Sequence, residues 1–227
     1  MPRTSDTKAL VPTPRPAAEC LPTWFKTIKP YHLETPKPHK TTVKRCIPFV
    51  DALSFGYIQE LWCDVYIETV YENSELVVNY RWAGDIQPVS SRFEIQNTKN
   101  EFSKFDGYSS VELQWETQWE PLLPAGYSAF FTAPINREDL PFKTFSGIID
   151  SDKYPVHGPI PFLLKEGFSG MIQAGTPIYQ IVPFKRDSWQ SSMLNFGDVD
   201  TKNIYNKTKQ TFGDGYKHKF WQKKKYL

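Results

Sequence analysis

The sequence predicts an all-β fold, an antiparallel sheet or barrel with an extended amino-terminal arm and a basic carboxyl-terminal tail. Three observations predict it. Aromatic residues make up 15% of the 227 positions, and many stand in short runs with Val and Ile between Gly and Pro turns. Residues 110–119 alternate, with Val111, Leu113, Trp115 and Thr117 on one face and Glu112, Gln114, Glu116 and Gln118 on the other. That period of two is the mark of a half-buried antiparallel strand. Finally, the stretch 124–186 holds two strand-and-turn units: Gly147-Ile148-Ile149 ahead of Asp150-Ser151-Asp152, and the Ala174-Gly175 turn ahead of Thr176-Pro177-Ile178-Tyr179-Gln180.

Taken in order, residues 1–40 form a Pro-rich arm. Nine of the nineteen prolines lie in 1–48, with Pro12, Pro14 and Pro16 on alternate positions. Proline fixes φ and removes a donor, so this arm is expected to be extended rather than helical or central in a sheet. Trp24 and Phe25 are its aromatic anchor, expected to pack against the body or a neighbour. Residues 41–187 form the β-rich domain. A strand-like run covers 41–50, and 51–67 reads as a turn and a further strand. Glu75–Trp82 is another strand, and Phe93, Ile95, Phe102 and Phe105 lie in a more polar stretch. A strand over 126–133, the loop 134–141 and the 124–186 block complete the domain. Residues 188–194 read as a short helix or turn. The tail, 188–227, closes on Tyr216, Phe220 and Trp221 at spacings that suit an amphipathic basic helix.

Charge is unevenly placed. Nine Lys/Arg against three acids give +6 over 1–48, and eight Lys against one acid give +7 over 202–227. With a net charge of +2, residues 49–201 therefore carry −11. An acidic body with two basic arms suits contact with a second subunit, another partner or nucleic acid. In the tail, Lys217, Lys219, Phe220, Trp221, Lys223, Lys224 and Lys225 are the candidate contact residues, because bases stack on aromatic rings set among cations.

Several chemistries are disfavoured. No apolar run reaches the roughly 18 residues of a membrane span, and 1–22 lacks the apolar core of a signal peptide. Cys20, Cys46 and Cys63 have neither disulfide-frame nor zinc-site spacing, which fits a reducing compartment. His32, His39, His157 and His218 have no metal-ligand spacing. P-loop, Rossmann and nucleophile-elbow patterns do not occur. No cofactor is expected.

The 124–186 block resembles the trimeric dUTPase family, a β-clip fold. The landmarks are Leu123-Pro124-Ala125-Gly126-Tyr127, Ala133-Pro134, Gly147-Ile148-Ile149-Asp150-Ser151-Asp152 and Gly175-Thr176-Pro177-Ile178-Tyr179-Gln180, in the family's order. Phe55-Gly56-Tyr57 is a fainter echo of an earlier family motif. The resemblance implies a β-clip trimer in which Asp150 matches the carboxylate that orients an attacking water. Tyr154 stands near the place of the tyrosine that packs under the sugar, displaced by the inserted Lys153. The family's phosphate loop, Ala-Pro-Arg-Ser-Gly, reads Ala133-Pro134-Ile135-Asn136-Arg137 here, so its arginine is an isoleucine. The carboxylate of the early motif is Ile58, and the glycine-rich tail reduces to Thr211-Phe212-Gly213-Asp214-Gly215.

The chain as a whole also resembles proteins of tailed phages, including those infecting marine cyanobacteria. The expectation is a non-catalytic homo-oligomer, a trimer, located in the virion or the host cytoplasm. It would be a decoration, neck or tail accessory that touches other virion proteins through its arms. The competing expectation is a diverged nucleotide hydrolase working with Mg²⁺ and Asp150. Otherwise Asp150 is a hairpin-capping carboxylate.

Overall fold

In the computed structural model, which describes residues 1–32, 40–91, 105–193, 200–209 and 215–227, the expected all-β architecture is present. Twelve strands among these residues form three antiparallel sheets. The first has five strands, in the order β1 (Arg15–Pro16), β2 (Tyr57–Glu60), β12 (Pro177–Lys185), β7 (Tyr127–Thr132) and β9 (Gly147–Ile149). The second runs β5 (Val89–Ser91), β6 (Tyr108–Trp115), β10 (Ile160–Lys165) and β8 (Phe142–Thr144). The third is β11 (Gly170–Ile172), β3 (Val65–Glu72) and β4 (Glu75–Trp82). Phe93, Ile95, Phe102, His39 and 211–214 fall outside the described residues.

Each strand follows from its local sequence. The hairpin of β3 and β4 turns on Asn73 and Ser74, both at positive φ (49° and 66°). A two-residue hairpin loop needs such angles at both central positions to match the twist of its strands, and Asn tolerates them. In β6 the alternation holds at Leu113, Trp115 and Thr117, which are buried, whereas Gln114 and Glu116 are half-exposed. Glu112 departs from it and is buried, because β6 lies between β5 and β10 and both of its faces are partly covered.

The core lies where the sheets meet. Trp115 stacks on Phe162 of β10 with ring centroids 3.9 Å apart and meets Phe142 of β8 edge-on at 4.9 Å. Its indole N–H donates to Thr144 Oγ1 (3.0 Å), and the Thr144 hydroxyl donates in turn to the Ile178 carbonyl of β12 (2.6 Å). This relay satisfies the polar atoms of a dry interior and ties the four-stranded sheet to the five-stranded one.

Two expectations need correction. Residues 41–50 are not a strand: a 3-10 turn at Val43–Arg45 leads into the helix Ile47–Leu53. Thr41, Thr42, Val43 and Val50 suggested extension, but Pro48 sits in the helix's first turn, where its missing N–H costs nothing and its φ is already helical. Nor is the arm extended throughout. Short helices occupy Ser5–Leu10, capped by the Thr4 hydroxyl, and Thr23–Thr27 after Pro22. In both places prolines flank the turn rather than interrupt it. The alternating prolines 12–16 do run extended and supply β1, a sheet edge where a missing donor is harmless.

The amino-terminal segment lies along the body. Arg3 N–H donates to the Gln118 carbonyl (3.0 Å), Glu120 N–H to the Met1 carbonyl (2.7 Å) and Ala17 N–H to the Gly56 carbonyl (2.9 Å). Beneath this strap His157 is buried, with Nε2–H donating to the Trp119 carbonyl at 3.0 Å. Arg3 spans the region, bonding the His157 carbonyl (2.6 Å) and the Glu120 carboxylate (3.0 Å). Burial holds the His157 pKa below its usual value, and the nearby Arg3 cation works in the same direction. A lowered folded-state pKa means that the unfolded chain binds the proton first as pH falls. Stability from this group is therefore whole above about pH 6.5, the ordinary histidine value, and declines as pH drops below it. Tm measured from pH 7.5 to 5.5 is expected to fall less steeply in His157→Gln than in the wild type. Parallel curves would remove His157 as the cause.

Candidate functional site

The candidate carboxylates stand where three strand ends meet. The hairpin after β9 turns at Asp150, whose carbonyl accepts the N–H groups of Lys153 (2.9 Å) and Tyr154 (2.8 Å). Ser128 lies on β7, and Arg186 follows the last residue of β12. The Arg186 guanidinium reaches the Asp152 carboxylate with both terminal nitrogens (2.8 and 2.5 Å) and lies 3.2 Å from Asp150 Oδ1. It also donates to the Tyr127 carbonyl and to Ser128 Oγ. The Ser128 hydroxyl donates to Asp150 Oδ1 at 2.7 Å, and Gly126 N–H donates to Asp152 Oδ2 at 2.8 Å.

This network sets the electrostatics. The Ser128 hydrogen bond, followed by the charge of Arg186, holds the Asp150 carboxyl below the ordinary aspartate range. Asp152 lies lower still, chiefly through its bonds from Arg186 and then through Gly126 N–H. A carboxylate so stabilised is a weak base, whereas proton abstraction near neutral pH calls for a raised pKa. Asp150 keeps an exposed side chain (53%), but its charge is balanced within the chain.

Tyr154 does not join Asp150 in a pocket: it is 62% exposed on the far side of the turn. The loop in the phosphate-loop position is equally occupied. Ile135 N–H donates to Gln180 Oε1 (2.9 Å), and Asn136 takes a left-handed φ of 57°. Arg137 is clamped onto Asp139 at 2.8 Å by paired hydrogen bonds. Burial works to raise the Asp139 pKa, yet the Arg137 bonds and charge outweigh it and leave the group below its usual value. The loop borders an open cleft of about 490 Å³ in which Arg137 and Asp139 are the charged groups. Gln180 is the residue whose role the sequence concealed. Buried between strands, it also donates through Nε2 to the Phe55 carbonyl, joining the two motif loops. Its place inside an apolar strand was the available signal.

Trp24 and Phe25 pack with Phe49 of the Ile47–Leu53 helix, at centroid distances of 6.3 Å each, and Phe25 is buried. The tail is helical only at Gly215–Lys219. The amphipathic helix expected through Trp221 and beyond does not form, because this part of the tail is held by the body. Trp221 Nε1–H (2.8 Å) and Lys224 Nζ (2.6 Å) share Asp51 Oδ2, and the Tyr226 ring sits edge-on to Phe55 and Tyr57. Lys219 caps the Lys207 carbonyl (2.8 Å), while Lys217, Phe220, Lys223 and Lys225 face solvent. Trp221 is thus half-buried against Asp51, while the lysines around it remain open to an anionic partner.

No other centre competes with these. Among the described residues no three His, Cys, Asp or Glu side chains stand close enough to hold a metal ion, and no helix is long and apolar enough to cross a membrane. The Cys20 thiol is pushed up to about 11, mainly by burial, which leaves it little thiolate for nucleophilic attack. No protein-family model, curated protein or solved structure matches the chain. The geometry alone defines a class: an antiparallel all-β protein with a self-neutralised acidic cluster at the strand ends and terminal segments laid over its own sheets.

Proposed function

We propose that this protein is a non-catalytic, homo-oligomeric structural protein, a virion accessory component that makes contacts between subunits and with other virion proteins through its terminal segments. The observation that carries the reading is the Arg186 ion-pair cluster. The one residue that matches a catalytic carboxylate is engaged in cis by a guanidinium and a hydroxyl. The loop in the position of the anion-binding loop offers an isoleucine side chain and an arginine already paired. Both arrangements hold strand ends together and leave no charge free to grip a triphosphate. The β-clip trimer belongs to the same proposal, as does polyanion contact through Lys217, Lys223 and Lys225. An acidic body bearing basic terminal segments supports it by charge complementarity between copies.

The test is an incubation with a panel of nucleoside and deoxynucleoside triphosphates and Mg²⁺, read as pyrophosphate release. The expected result is the same background rate for the wild type and for Asp150→Ala. Release by the wild type that Asp150→Ala abolishes would replace this reading with that of a diverged nucleotide hydrolase. Stoichiometric amounts of the chain in purified particles are the expected positive finding.

A further inference from the structure

Between the amino-terminal strap and the five-stranded sheet lies an apolar cavity of about 210 Å³, walled by Met1, Pro14, Trp119, Pro121, Leu123 and Pro183. Pockets that hold drug-sized ligands run to roughly 300–1,000 Å³, so this one suits a single large side chain. On the same molecule, the segment beyond β12 presents Trp189 at 91% exposure and Met193 at 100%. A tryptophan so bare is unusual on a soluble surface, and tryptophan is the residue most enriched among the anchors of protein interfaces. In its own chain it does not enter the cavity. Arg186, three residues earlier, is fixed by its N–H to the Gly126 carbonyl (2.8 Å) and by its guanidinium to Asp152, which directs the following residues outward.

We propose that Trp189 of one copy inserts into the Trp119–Pro121–Leu123 cavity of a second copy. Charge favours this occupant. The segment that carries Trp189 leads into the helix Thr201–Lys209 and the +7 stretch 202–227, while the cavity opens on the −11 body. Knob and hole lie on different parts of one surface, so the contact is heterologous and must close into a ring or run on as a filament. A ring of three satisfies every knob and every hole. The inference rests on the homo-oligomeric reading above and assigns the residues that make the oligomer.

Sedimentation equilibrium over a concentration series, on the wild type and Trp189→Ala, tests it together with oxidative cross-linking. For the latter, Trp189→Cys and Pro121→Cys chains are prepared in a Cys46→Ser background, separately and mixed. The expected result is a trimeric wild type, association weakened about tenfold or more in Trp189→Ala with Tm unchanged, and a linked pair only in the mixture. If the wild type oligomerises, Trp189→Ala associates as tightly and the mixture gives no linked pair, this inference falls while the oligomeric reading stands. A wild type that stays monomeric throughout overturns both.

Discussion

Replacing Trp115 by alanine is expected to lower the unfolding free energy by about 3–5 kcal/mol, the range for truncating a buried tryptophan. The side chain is fully buried, stacked on Phe162 and edge-on to Phe142, so its loss opens a void between two sheets that cannot easily collapse. Trp115→Phe separates two contributions. It keeps an aromatic ring against Phe162 but leaves Thr144 Oγ1 without the indole N–H, a cost of about 1–3 kcal/mol for an unmet buried acceptor. Urea unfolding, compared at constant m-value, measures both. A loss below about 1 kcal/mol for the alanine variant would mean that the sheets do not meet at Trp115.

The second large effect is expected at Gly56. Its φ is +71°, and a Cβ there would stand 2.2 Å from the Ile181 carbonyl oxygen, an atom of the β12 backbone that no side-chain rotation can move aside. Gly175 provides the control: its φ is +83°, but nothing lies within 4 Å of a Cβ built on it. Gly175→Ala therefore carries left-handed strain alone, about 1–2 kcal/mol. Gly56→Ala carries the same strain and must also part β2 from β12, so it is expected to cost clearly more or to prevent folding. It should also release the tail, since Tyr226 rests on Phe55 and Tyr57 on either side of this glycine. Equal destabilisation of the two variants would show that the close approach at Ile181 is not tight.

The local signals were legible in uneven measure. Glu75–Trp82 and the alternation of β6 could be read from the sequence because side-chain period and turn chemistry act over a few residues. The helix Ile47–Leu53 was misread because its β-branched residues outweighed one proline in the first turn, and only packing of Phe49 against Trp24 and Phe25 decides the matter. In the candidate site, Asp150 and Asp152 could be singled out from an apolar run ending in two acids. Nothing in the sequence joined them to Arg186, 36 and 34 positions away respectively, or Gln180 to the loops at Phe55 and Ile135. The tail's seven candidate residues were found by composition, yet Trp221 and Lys224 turn out to share Asp51, some 170 positions earlier.

What the sequence determined by itself was the strand-rich class, the charge split between body and tail, and the loss of an arginine from the loop at Ile135. These depend on residue identity and short-range periodicity, which no fold can alter. What only the tertiary structure decided was pairing: which cation neutralises Asp150, where the strap and tail lie, and that a cavity and a bare Trp189 share one molecule. Such contacts join residues brought together by sheet order, and sheet order comes from how the apolar faces bury one another across the whole chain.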